Sequence, residues 1–104
     1  MTLPVFIGPV CDQQTASQLD RAGAHSLIFM PHALPRFSAQ SSTQREAAAA
    51  IRSQLEHATC CLLLHASESL TEQQAWCAEL RPEYIAIDIR QPDVARLRQV
   101  TEAC

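Results

Sequence analysis

Residues 5–37 read VFIGPVCDQQTASQLDRAGAHSLIFMPHALPRF, and this stretch decides the fold. Val5-Phe6-Ile7 is a short apolar run, and Asp12 stands where a helix N-cap is expected. Ala16, Leu19 and Ala22 recur at three-residue spacing, and Gly23 follows where a left-handed C-cap belongs. Ser26 to Met30 is a second apolar run, stopped by Pro31. The pattern is strand, helix, strand: one complete βαβ unit.

The remainder repeats it. Residues 31–42, PHALPRFSAQSS, form a loop rich in proline and small polar residues, long for an α/β connection. Thr43-Gln44-Arg45-Glu46 has the form of a capping box opening a second helix, with Ala48, Ile51, Leu55 and Ala58 as its apolar stripe. Thr59 to Leu64, TCCLLL, lacks alternation and reads as a strand buried on both faces. His65 to Glu68 make a turn, and Ser69-Leu70-Thr71-Glu72 is a second capping box. Its helix carries Trp76, Cys77 and Leu80, with Trp76 as the core anchor, and Pro82 ends it. Tyr84 to Ile87 is a fourth strand. Pro92 opens a last helix with the stripe Val94, Leu97, Val100 and Cys104. Four strands alternating with four helices predict a single α/β domain with a parallel sheet and right-handed crossovers. It is either a (βα)4 half-barrel, with strands in sequential order, or a flavodoxin-like open sheet in the order 2-1-3-4.

Composition narrows the chemistry. The chain has 104 residues, 47% of them hydrophobic, and a net charge of −3. No apolar run reaches membrane-span length, and nothing draws the surface to nucleic acid. The N-terminal residues show no signal-like pattern, so a cytoplasmic location is expected. All eight basic residues are arginine, which excludes Schiff-base lysine chemistry and a P-loop. With only Gly8 and Gly23, no glycine-rich phosphate cradle can be assembled. The five cysteines are odd in number, lack metal-ligand spacing, and read as free thiols in a reducing compartment. Cys60 and Cys61, adjacent in a strand, point to opposite faces. No cofactor is expected.

Sites in parallel βα folds form at the C-terminal ends of the strands. Those ends bring Cys11, Asp12, His32, Arg36, His65 and Asp88 into the candidate ligand-binding set, with Ser67 and Arg90 beside them. Cys11 is either a thiolate activated by His32 or His65, or a small buried residue before a helix cap. Asp12 is either an acid–base group or an N-cap. Arg36, on the long loop, offers a planar fork to an anionic small molecule. Asp88 either orients a ligand hydroxyl or pairs with Arg90.

Four features in order resemble phosphoribosylanthranilate isomerase, a (βα)8 barrel. They are Arg21-Ala22-Gly23-Ala24 before Leu27-Ile28-Phe29, Leu34-Pro35-Arg36-Phe37, Leu62-Leu63-Leu64-His65-Ala66-Ser67, and Pro82-Glu83-Tyr84-Ile85 through Leu97. The resemblance covers nearly all of this chain but only the first half of that barrel. It implies a half-barrel, with Arg36 kept from the substrate-contacting loop. The family's catalytic cysteine position holds Gly8, its fourth-strand histidine is replaced by Asp88, and its catalytic aspartate and phosphate loops belong to the absent half. A second resemblance is to TIR domains. It rests on Val5-Phe6-Ile7-Gly8 and on Ser67 to Leu80 with Trp76, Cys77 and Glu79, and implies NAD cleavage through Glu79. Glu79 comes one residue early after the tryptophan for that pattern. The leading expectation is a small-ligand binding or assembly module, homodimeric if the sheet is a half-barrel; the alternative is an enzyme, as an isomerase-type half or a TIR-like hydrolase.

The purified chain alone is expected to show no phosphoribosylanthranilate isomerase turnover. Turnover that disappears in Cys11→Ala would contradict this and make Cys11 a relocated nucleophile.

Overall fold

A computed structural model describes residues 3–10, 12–30, 41–64, 69–87 and 94–103. Strands β1 (Phe6–Ile7), β2 (Ser26–Phe29), β3 (Thr59–Leu64) and β4 (Tyr84–Ile87) alternate with helices α1 (Gln13–Arg21), α2 (Ser41–Ser53), α3 (Leu70–Leu80) and α4 (Val94–Thr101). The strands form one parallel sheet in the order β1-β2-β3-β4. The flavodoxin-like order 2-1-3-4 is therefore not the one adopted.

Local chemistry sets the helix ends. Asp12 accepts from the Thr15 amide at 2.7 Å and caps α1, and Gly23 takes the left-handed conformation (φ 97°) just past its end. Ser69 accepts from the Glu72 amide and caps α3, which Arg81 closes in the left-handed region before Pro82. Three expectations shift. Ala22 is exposed beyond α1 rather than part of its stripe. α2 begins at Ser41, so Thr43 lies inside the helix and does not cap it. α2 also ends at Ser53, so Leu55 and Ala58 pack from the following loop and not from a helical stripe. At the C-terminal end the apolar spacing continues past the helix, and at the N-terminal end the helix begins before the capping pattern.

Sequential order has a consequence for layering. Each right-handed crossover steps the same way along the sheet, which places every helix on one face. The core agrees: Ala16 of α1, Ala48 and Ile51 of α2, Trp76, Cys77 and Leu80 of α3 and Val100 of α4 join one cluster. The sheet contributes Leu27 and Phe29 of β2 and Cys60, Leu62 and Leu64 of β3, with Ile7, Ile85 and Ile87 packed against them. The alternate residues Phe6, Ser26, Ile28, Thr59, Cys61, Leu63, Tyr84 and Ala86 fall on the other face, where the cluster does not reach. Cys60 and Cys61 divide between the two faces as their adjacency requires. Burial of β3 on both faces holds for Cys61 but only partly for Leu63, which is half-buried.

Gly8 marks a close approach of β1 to β2. A Cβ there would overlap the Ile28 Cβ and sit 2.7 Å from the Ile28 carbonyl oxygen, which already accepts from the Val10 amide at 2.9 Å. Gly8→Ala should lower the unfolding free energy by roughly 1–3 kcal/mol through overpacking, read by chemical denaturation. Gly8→Cys should cost at least as much. An unchanged midpoint for either would show that β1 can move away from Ile28 freely.

Candidate functional site: the open sheet face and the strand ends

The strand-end set is placed only in part. Cys11, His32, Arg36, His65 and Asp88 lie outside the described residues, as do Ser67 and Arg90. Asp12 is described, and both its oxygens face α1: Oδ1 accepts from the Thr15 amide and Oδ2 from the Thr15 hydroxyl at 3.1 Å. Of the two readings of Asp12, the geometry supports the N-cap. Among the described residues no three metal-ligating side chains converge. Glu79 is exposed in the last turn of α3, and that turn leads through Arg81 into the start of β4. It therefore stands at the end of the sheet opposite the rim where βα loops gather.

The thiols of the sheet are poor nucleophiles. Burial pushes the Cys60 thiol up to about 12, with Arg52 opposing and Glu83 and Cys61 adding to the rise. Burial also raises Cys61. Both stay protonated near neutrality, which leaves them inert as attacking groups.

The face away from the helices is the larger feature. Register sets Phe6, Ser26 and Thr59 in one row and Ile28, Cys61 and Tyr84 in the next, with Leu63 beside Ala86 above them. Phe6 belongs to one edge strand and Tyr84 to the other, yet their ring centroids are 5.2 Å apart and edge-to-face. His25, just ahead of β2, completes a trio with centroids 5.7 Å from Phe6 and 5.9 Å from Tyr84. Its Nε2 lies 3.2 Å from the Tyr84 hydroxyl. Beneath the rings the small Ser26 is fully buried, its hydroxyl donating to the Thr59 carbonyl, while the Thr59 hydroxyl donates to the His25 carbonyl. The rings remain open above: Phe6 is 41% and Tyr84 42% exposed. With Leu3 and Val5 they are the exposed large apolar side chains among the described residues, and all four belong to β1, its approach, or β4.

The strand-start end below is held by two carboxylates. Asp20, buried at the end of α1, accepts from the backbone amides of Glu56, His57 and Ala58 at 2.7, 3.0 and 2.6 Å. Burial pushes its carboxyl up, but these three amides outweigh that and hold it below the usual value. Glu83 bridges elements: Arg52 Nη2 donates to its Oε1 at 2.6 Å and the Cys60 amide to its Oε2 at 2.6 Å. Arg52 also donates to the Arg81 carbonyl at 2.8 Å. Burial raises the Glu83 carboxyl, and Arg52 with the Cys60 amide brings it below its ordinary range.

The sequence offers no signal for the aromatic partners of His25. The Phe6–Tyr84 pairing requires strand order and register, which no local pattern carries. Asp20 gave no signal either, because its partners are backbone amides more than thirty residues away. No protein family, curated protein or solved structure matches the chain.

Asp20→Asn keeps one acceptor oxygen and removes the charge, and should destabilise on the order of 2 kcal/mol at neutral pH. Because the folded carboxyl titrates below its unfolded value of about 3.9, its contribution is full above that pH and is lost as pH falls through the folded value. The gap between wild type and variant should therefore narrow below about pH 4. A gap that stays constant into that range would rule out the carboxylate charge as the source.

Proposed function

We propose that the chain is a half-barrel assembly module: a second copy of itself covers the open face of the sheet, and the rim of the completed body binds an anionic small molecule. The Phe6–Tyr84 contact is the observation that carries this reading. Edge strands of a flat four-stranded sheet stand three spacings apart, about 14 Å, with side chains projecting in parallel. Rings from those two strands converge to 5.2 Å when the sheet curls toward the face they share. A sequential parallel sheet curled away from its helices has the form of an arc of barrel wall.

Burial supports the same conclusion. The concave face carries Phe6, Ile28, Cys61, Leu63, Tyr84 and Ala86, and among the described residues no helix lies over it. An apolar face of this kind is seldom left in water by a soluble monomer. The resemblance to the first half of phosphoribosylanthranilate isomerase points in the same direction for architecture. It does not extend to catalysis, because Gly8 occupies the cysteine position and Ile28 leaves no space for a side chain there. The ligand part rests on residue chemistry in sequence: Arg36 for the anionic group, with Cys11, Asp12, His32, His65 and Asp88 at the strand ends.

Folding linked to association makes stability depend on concentration. The thermal midpoint of the wild-type chain should rise over about a hundredfold increase in protein concentration. The double variant Phe6→Glu/Tyr84→Glu should unfold at a lower midpoint that concentration does not move. A concentration-independent wild-type midpoint would count against the assembly reading.

A further inference from the structure

Resting on the half-barrel reading, we infer that two copies close edge to edge: β4 of each pairs in parallel with β1 of the other, giving eight strands around a twofold axis along the barrel.

The edges have the hydrogen-bonding polarity this requires. The Thr59 amide donates to the His25 carbonyl, so Thr59 faces β2 and alternation turns Cys60, Leu62 and Leu64 toward β4. With Cys61 in register with Tyr84 and Leu63 with Ala86, Tyr84 and Ala86 face β3, and the amides of Ile85 and Ile87 point to the outer edge of β4. On β1, the Val5 carbonyl accepts from Ser26 and the Val10 amide reaches the Ile28 carbonyl. Val5 and Ile7 thus face β2, while Phe6 and Gly8 present their backbones outward. Pairing β1 with a second β1 would leave both β4 edges and both concave faces open. Pairing β4 with the partner's β1 satisfies both edges of both copies in one symmetric arrangement.

The path of the chain selects the same neighbour. α4 runs beside α3 in the same direction: Arg96 Nε donates to Gln73 Oε1 at 3.0 Å, and Gln74 Nε2 to the Gln99 carbonyl at 3.4 Å. Farther on, Ala103 lines a groove with Ala78, Arg81 and Pro82. The end of α4 therefore lies level with the start of β4, the point from which a right-handed crossover sends the next parallel strand alongside. In the closed pair that place belongs to the partner's β1. The exposed apolar side chains fit this seam, since Leu3, Val5 and Phe6 flank one edge and Tyr84 the other. Inside, each row sets large against small, Phe6 with Ser26 and Thr59, and Tyr84 and Ile28 with Cys61, as layered barrel interiors do.

Two measurements test the closure. The first joins two copies head to tail through a linker of about four residues, the usual length between βα elements. This tandem chain should sediment at the mass of one tandem chain and associate no further. A tandem that forms larger species while the single chain is dimeric would overturn the closure. The second needs no variant: amide exchange at Ile85 and Ile87, followed by NMR on the single chain. Both amides should exchange about a hundredfold or more slowly where the dimer dominates, and lose that protection on dilution. Free exchange at both positions in a dimeric sample would overturn edge pairing while leaving association itself intact. A single chain that stays monomeric at every concentration would instead remove the half-barrel assembly reading, and the closure with it.

Discussion

The structure depends on one topological constraint: each crossover is right-handed and steps to the next strand in sequence. With four strands in sequential order, all four helices must lie on the same side of the sheet. That side becomes a conventional core, in which Trp76 is 1% exposed and Leu27, Leu62 and Leu64 not at all. The opposite side receives every second strand residue, and among the described residues no helix meets it. What the chain does with that second side is the functional question.

Two close contacts give the open side its shape. At one edge Gly8 lets β1 approach Ile28 more tightly than a side chain would permit. Across the width, Phe6 and Tyr84 meet above Ser26 and Thr59, which are small enough to leave room beneath the rings. Asp20 and Glu83 then fasten the strand-start end, tying α1 to the loop before β3 and α2 to β3 and β4. The tight seating of β1 against Ile28 thus requires a residue without a side chain at position 8.

Much of the fold was legible in the sequence, because it is carried by local signals. Apolar runs located all four strands, with β3 and β4 at their observed limits, and Asp12, Ser69, Gly23 and Pro82 marked helix boundaries correctly. The C-terminal end of α2 is masked in the sequence because apolar spacing persists through Leu55 and Ala58, which pack from a loop, and its N-terminal end because Thr43-Gln44-Arg45-Glu46 imitates a cap inside the helix. Strand order leaves no local signal, since alternation of elements is compatible with 1-2-3-4 and with 2-1-3-4 alike. The candidate site was less legible. Asp12 could be recognised as a cap from its spacing to the helix. The aromatic trio joins residues far apart in sequence through register, and the Asp20 clamp joins a side chain to distant backbone, so neither leaves a local pattern.

The functional account follows from what the open face must do in water. In the proposed assembly a second copy covers the open face and supplies edges of the right sense. The central claim is the association itself, and the most direct measurement is the molecular mass of the wild-type chain by sedimentation equilibrium at micromolar concentration. The account predicts a species of twice the 11.5 kDa chain mass that dissociates on dilution. A folded species that remains at 11.5 kDa across the accessible range would contradict it.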